Sequence, residues 1–237
     1  MKQFFSMSTW ICTGTLLALP FFAHAVDITN ISGDWTSVTG GQNVSGLNTN
    51  QVFWGGPGSN SDKSGYKFVA SPNLFNIAPD TPFVLGTFTH INKPIPDGTS
   101  ITQAVLNVTL SIPGVIQNLN LSYIFNHDET PNVAGQCPPG SVSVCDDIVT
   151  AASNPVVTQF FTINGQQYTL TIQGFEVNGN TFSQFLTQEN ANNSAKLIAE
   201  ISLPVSLSAP EPETYLLLGS TLGLALLLKY RRSKQRT

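Results

Sequence analysis

Charge is scarce in this sequence, and positive charge scarcest of all. Only 10% of the 237 residues are Asp, Glu, Lys or Arg. Between Val26 and Ser208 twelve acids face four bases (Lys63, Lys67, Lys93 and Lys196), which leaves eight net negative charges. So few cations cannot grip a phosphate backbone, and nucleic acid is excluded as a partner class. The sequence has no Gly-x-Ser-x-Gly elbow, no phosphate-binding glycine-rich loop and no His-Glu-x-x-His pair, so it carries no legible motif of a serine hydrolase, a nucleotide enzyme or a zinc protease. It has no internal repeat and no low-complexity linker. Ahead of the C-terminal tail no long apolar stripe recurs at helical spacing; residues 182–188 read as one or two helical turns at most.

What is present begins with two unusual ends. Residues 1–25 carry Lys2 as their only charge, an apolar stretch over 10–22 and then Ala23-His24-Ala25, the small-x-small pattern that signal peptidase reads. The mature chain is expected to start at Val26. Residues 209–237 hold Pro210-Glu211-Pro212-Glu213-Thr214, an apolar run over 215–228 and a basic end of Lys229, Arg231, Arg232, Lys234 and Arg236, half of the ten basic residues in the chain. An apolar run followed by clustered Arg and Lys stops in a membrane with its end in the cytoplasm. The run 215–228 rises about 21 Å as a helix, short of a hydrocarbon core of roughly 30 Å unless the flanking cations snorkel. It suits a temporary anchor, a transmembrane helix over about 214–230.

The region between these ends, 26–208, reads as one all-β domain. Segments 66–70, 83–91, 101–112, 119–126, 156–164, 167–177 and 196–207 are rich in Val, Ile, Thr, Phe and Tyr. In 104–112 Leu106, Val108, Leu110 and Ile112 alternate with Asn107, Thr109 and Ser111, the period of a strand with one wet face. Asn164-Gly165 between two such segments predicts an antiparallel hairpin, and Asn178-Gly179-Asn180 ends the second of them. The expected fold is an antiparallel β-sandwich in the jelly-roll or immunoglobulin-like range. With Cys12 in the leader, the mature chain keeps Cys137 and Cys145, an even pair closing a short loop with Pro138-Pro139-Gly140 at its turn; in an exported protein this predicts a disulfide. A zinc site is the rival, but the CxxC spacing it favours is missing.

The tail, with Pro210, Glu211 and Pro212, then Thr214, an apolar helix and the pair Arg231-Arg232, resembles the PEP-CTERM sorting signal of Gram-negative bacteria. That resemblance implies recognition by an exosortase in the inner membrane, processing, and delivery to the envelope or extracellular matrix, with exopolysaccharide as a candidate neighbour. Thr89-His90-Ile91-Asn92 resembles the Thr-His-x-Asn signature of the THxN, or choice-of-anchor K, family of PEP-CTERM proteins. The stretch from Phe125 to Asn132, followed by the cysteine pair, resembles a second part of the same pattern. That family comes without an established activity.

Three functional classes follow. The first is a non-enzymatic envelope or matrix protein. The second is a carbohydrate-binding module, for which Trp35 and Trp54, the latter beside Gly55-Gly56-Pro57-Gly58, are the candidate sugar contacts, with burial in the core as the plainer reading. The third is a secreted hydrolase, which needs His90 or His127 beside a carboxylate in a pocket. His90 and Asn92 share one face of a strand, which favours a hydrogen-bonded corner over catalysis. No cofactor is required. An acidic surface leaves divalent cations as possible ligands, and Asn126, Asp128 and Glu129 form the candidate calcium set, with a turn through Pro131 and Asn132 as the alternative.

Overall fold

A computed structural model of the chain describes residues 25–151, 160–163 and 165–202. The signal peptide and the sorting segment expected from the sequence lie outside the described residues. Thirteen strands account for the fold: β1 (Val26–Gly40), β2 (Gln51–Trp54), β3 (Ser64–Ala70), β4 (Leu74–Ile77), β5 (Phe83–Asn92), β6 (Ile101–Ile112), β7 (Ile116–Asp128), β8 (Asp147–Ala151), β9 (Phe160–Ile163), β10 (Gln166–Val177), β11 (Asn180–Phe182), β12 (Gln184–Thr187) and β13 (Ala191–Ser202). Among the described residues the one helical element is a 3₁₀ turn, Asn60–Asp62, and no helix is long and apolar enough to cross a membrane.

The strands form two sheets in which every pairing is antiparallel. One sheet runs β12-β8-β7-β6-β1-β4; the other runs β11-β10-β13-β5-β3-β2, with β9 added beside β10. The inward residues of each strand meet those of the facing sheet in one core. Trp35 of the first sheet lies with its ring centroid 5.2 Å from Tyr66 and 6.1 Å from Phe88 of the second. Phe125 of the first stacks on Phe88 at 5.4 Å. Offset and edge contacts of this kind add about 0.5–1.5 kcal/mol each beyond the area they bury.

Local sequence explains most of the strands. In β6, Ala104, Leu106, Val108 and Leu110 are buried while the residues between them are only partly so. The β9–β10 hairpin forms with Ile163 opposite Gln166. At the β10–β11 turn Asn178 and Gly179 both adopt positive φ (51° and 79°), the left-handed pair that a two-residue hairpin loop requires. Two expectations change. Residues 182–188 are extended, not helical: Phe182 ends β11, and β12 carries Phe185 and Thr187 inward with Gln184 and Leu186 outward. A short apolar run has no length from which to tell a helix turn from a strand, and here the free edge of β8 supplies the ladder. Trp35 and Trp54 are both fully buried (0% exposed), so neither offers a ring face to a sugar. Both indoles belong to the core between the sheets.

The Phe68 ring is closely packed both across the sheets and within its own. A Cβ on Gly33 of β1 would stand 2.5 Å from Phe68 Cδ1, and one on Gly86 of β5 would stand 2.5 Å from Cε2 and Cζ and 2.6 Å from the Val69 carbonyl oxygen. Glycine at both positions leaves the ring its space.

Candidate functional site

The polar residues of interest converge at one end of the sandwich, where the end of β5, the end of β7, the start of β8 and the end of β12 meet. Alternation along β5 sets the Thr-His-x-Asn signature. Thr89 points to the outer face, where its hydroxyl lies 2.8 Å from Ser194 Oγ on β13. His90 and Asn92 point inward and are fully buried. The corner expected of them is a strut between sheets: His90 Nδ1 lies 2.8 Å from Thr187 Oγ1, and Asn92 Nδ2 donates to the Thr187 carbonyl at 3.1 Å. Thr187 belongs to the opposite sheet.

The hydrogen bonds also fix the tautomers. Thr187 Oγ1 lies 3.2 Å from the Asp147 carbonyl oxygen, which can only accept. The hydroxyl proton goes there, so the second contact is satisfied when His90 Nδ1–H donates to Thr187. His90 Nε2 is then a bare lone pair, buried and without a partner. Burial, and then the neighbouring His127, hold the His90 pKa well below the usual histidine value, so the ring is neutral.

A second inter-sheet link runs from Tyr66 of β3, whose hydroxyl lies 2.7 Å from Nδ1 of His127 on β7. His127 Nε2 lies 3.3 Å from Glu129 Oε2, which also accepts from Ser100 Oγ at 2.9 Å. Both contacts of His127 are met when the tyrosine donates to Nδ1 and Nε2–H donates to the carboxylate. The trio Ser100, Glu129 and His127 borders a cleft of about 480 Å³, whose rim also carries Asp97, Asp128 and Asn132. Its order is wrong for a serine nucleophile. The carboxylate sits in the middle, and the imidazole lone pair faces inward to Tyr66, where it can take no proton from Ser100.

The calcium set expected at Asn126, Asp128 and Glu129 does not assemble. Asn126 and Asp128 are exposed on the outer face of β7, with His127 between them pointing in; Asn126 Oδ1 accepts from Gln103 Nε2 at 3.1 Å. Alternation puts Asn126 and Asp128 together on the outer face, and Glu129, the next residue, lies on the other side with His127. Glu129, just beyond the strand, instead meets two acids that the sequence left unremarked as ligands. Glu129, Asp147 and Glu189 offer carboxylate oxygens that all lie within 4.8 Å of one another.

Each acid has a local reason to be there. Asp147 opens β8 and is fully buried; its Oδ1 accepts from the Thr130 backbone N–H at 2.9 Å and the Thr130 hydroxyl at 3.3 Å, while Oδ2 has no partner. Glu189 lies in the turn between β12 and β13, held by its backbone N–H on Ser143 Oγ at 3.0 Å; its carboxylate oxygens are buried, with the side-chain amides of Asn132 and Asn92 beside them but in no hydrogen bond of full geometry. Ser143 sits in the loop closed by the disulfide Cys137–Cys145. Asp146 binds that loop from within, accepting from the N–H groups of Val142 and Ser143 at 3.0 and 2.9 Å and from the Ser143 hydroxyl. The covalent loop thus positions both Asp147 and Glu189.

Electrostatically this cluster is uncompensated. Among the described residues the ion pairs are His127–Glu129 and Lys196–Glu176, so no lysine or arginine neutralises the three acids. Two ionised carboxylates no more than 4.8 Å apart repel by roughly 3 kcal/mol at the effective dielectric of such sites. Burial and then the charge of Glu129 push Asp147 up to about 8, against the pull of the Thr130 N–H. Burial and Glu129 raise Glu189 as well, opposed by Asn132 and Asn92.

No protein-family model and no curated protein matches the chain.

Proposed function

We propose that the chain is an exported, non-enzymatic protein of the cell envelope or extracellular matrix, whose acidic β-domain is cargo for its C-terminal tail. In this reading residues 1–25 are a signal peptide removed by signal peptidase, and 209–237 are a sorting segment that an exosortase recognises in the inner membrane. The observation that carries it is the order Pro210-Glu211-Pro212, Thr214, apolar run 215–228, Arg231-Arg232. Two features support it: the Cys137–Cys145 disulfide suits an oxidising compartment, and eight net negative charges suit a matrix of hydrated polymer such as exopolysaccharide. The strand orders, in which β1 lies between β6 and β4 and β13 between β10 and β5, favour the jelly-roll side of the sandwich range.

The non-enzymatic reading rests on the described polar end. Asp147 is sealed from any polymer; His127 does stand beside the Glu129 carboxylate at the cleft, but its lone pair faces Tyr66 and takes no proton from Ser100; and the indoles needed for a sugar platform are in the core. Cell fractionation with Glu211→Ala and Pro212→Ala, with mass spectrometry of the mature C-terminus, tests the sorting reading. The variants should remain in the inner membrane with an uncut tail; an unchanged distribution and an unchanged C-terminus would refute it.

A further inference from the structure

We propose that Glu129, Asp147 and Glu189 form a binding site for one hard divalent cation of the calcium class, reached from the cleft that Ser100 and Asn132 line. Their oxygens lie within 4.8 Å of one another. Calcium–oxygen distances of about 2.3–2.6 Å place ligands on opposite sides of one ion up to roughly 5 Å apart, so a single ion can touch all three.

A cluster of acids alone is common without an ion, but here the buried atoms around it are also incomplete. Asp147, 0% exposed, leaves Oδ2 without a partner, and the two Glu189 oxygens have only the side-chain amides of Asn132 and Asn92 nearby, neither in a hydrogen bond of full geometry. Asn92 Oδ1, on the residue beside Glu189, and His90 Nε2, on the residue beside Asp147, are further buried acceptors without a partner. Acceptors that outnumber the donors around them are what a cation and its remaining waters satisfy. The cleft provides the route: it touches Glu129 directly, and Asp97 and Asp128 on its rim draw cations toward it.

The choice of a hard ion over zinc follows from which atoms are free. His90, His127 and Asp147 also lie within 4.8 Å of one another. In that group, however, both nitrogens of His127 and Nδ1 of His90 already have partners, so Nε2 of His90 and one Asp147 oxygen are all that remain. Two free atoms do not make a zinc site, whereas the three carboxylates keep enough free oxygens for calcium.

The test uses the full chain in detergent, stripped with a chelator and titrated with calcium by calorimetry. One ion per chain is expected, with a Kd on the order of 0.1–1 mM, as in extracellular modules. Saturation at 10 mM should raise Tm by about 3–10 °C. Terbium, a calcium substitute, should show indole-sensitised emission, because Trp54 lies 5.4 Å from the His127 ring that contacts Glu129. Glu189→Gln and Asp147→Asn should each weaken binding at least tenfold, and the exposed control Asp34→Asn should not. Absence of a calcium effect up to 10 mM, or binding unchanged in both Glu189→Gln and Asp147→Asn, overturns the proposal. Zinc binding that is lost in His90→Gln but kept in Glu189→Gln overturns the choice of ligands.

Discussion

Replacing Thr187 with valine removes one oxygen from the centre of the inter-sheet strut and almost no volume. That oxygen takes the His90 Nδ1–H at 2.8 Å and donates to the Asp147 carbonyl at 3.2 Å. Thr187 and His90 are both fully buried, so no water replaces the lost partner, and His90, whose Nε2 is already bare, is left with no hydrogen bond at all. A buried donor left unpaired costs about 1–3 kcal/mol, and the second bond adds about 0.5–1.5 kcal/mol, so Thr187→Val should destabilise the domain by roughly 2–4 kcal/mol. In a domain of this size that lowers Tm by about 4–16 °C. Thr89 provides the internal comparison, since it carries the same chemistry on the outer face and its hydroxyl contacts Ser194 near solvent. Thr89→Val should cost under about 0.5 kcal/mol. Urea unfolding followed by tryptophan fluorescence measures both, because Trp35 and Trp54 lie in the core. Equal midpoints for the two variants, or a loss below about 1 kcal/mol for Thr187→Val at unchanged m, would refute the strut.

Gly86→Ala should destabilise by about 1–3 kcal/mol in the same assay, because the new methyl meets Phe68 on one side while Gly33 already crowds the ring on the other; the variant's urea midpoint reports it. Cys137→Ser with Cys145→Ser should cost about 2–3 kcal/mol from loop entropy, read as a lower Tm. The same pair of changes, or reduction with dithiothreitol, should weaken calcium binding in the calorimeter, because the freed loop no longer fixes Ser143 under Glu189.

Periodicity of two reads the strands well wherever both faces are visible in the sequence. It places β6 to the residue and puts His90 and Asn92 on one inward face with Thr89 opposite. The same rule, applied to β7, puts Asn126 and Asp128 on the outer face; grouping them with Glu129 as one calcium set sets aside the alternation that Tyr123 and Phe125 already announce. What periodicity cannot supply is the partner. Thr187 lies 97 residues from His90, on a four-residue strand too short to declare itself. Asp147 looks like its neighbour Asp146 in sequence, yet one caps a loop at its N–H groups and the other enters the core. Trp54 follows the plainer reading, burial in the core; the open loop that Gly55-Gly56 suggests is closed by Ile95, which packs against Gly55.

These long-range partners explain why a domain with so little charge keeps histidine and carboxylate in its interior. A sandwich gains its stability from apolar faces, and polar atoms between the sheets cost free energy unless paired. The His90–Thr187 and Tyr66–His127 links are paired, cross from sheet to sheet, and stand at the same end as Asp147 and Glu189. They therefore do more than join layers. His127 orients Glu129, and Thr187 ties Asp147 to β5. If these links served stability alone, the carboxylates beside them would add only repulsion, and substituting them by amides would stabilise the domain under all conditions. If the acids are held for a cation, Glu189→Gln should stabilise the chelated protein and remove the further stabilisation that calcium gives. A comparison of the two Tm values with and without calcium separates these accounts: under the cation account calcium raises the Tm of the natural chain and leaves that of Glu189→Gln nearly unmoved, and under the other it moves neither.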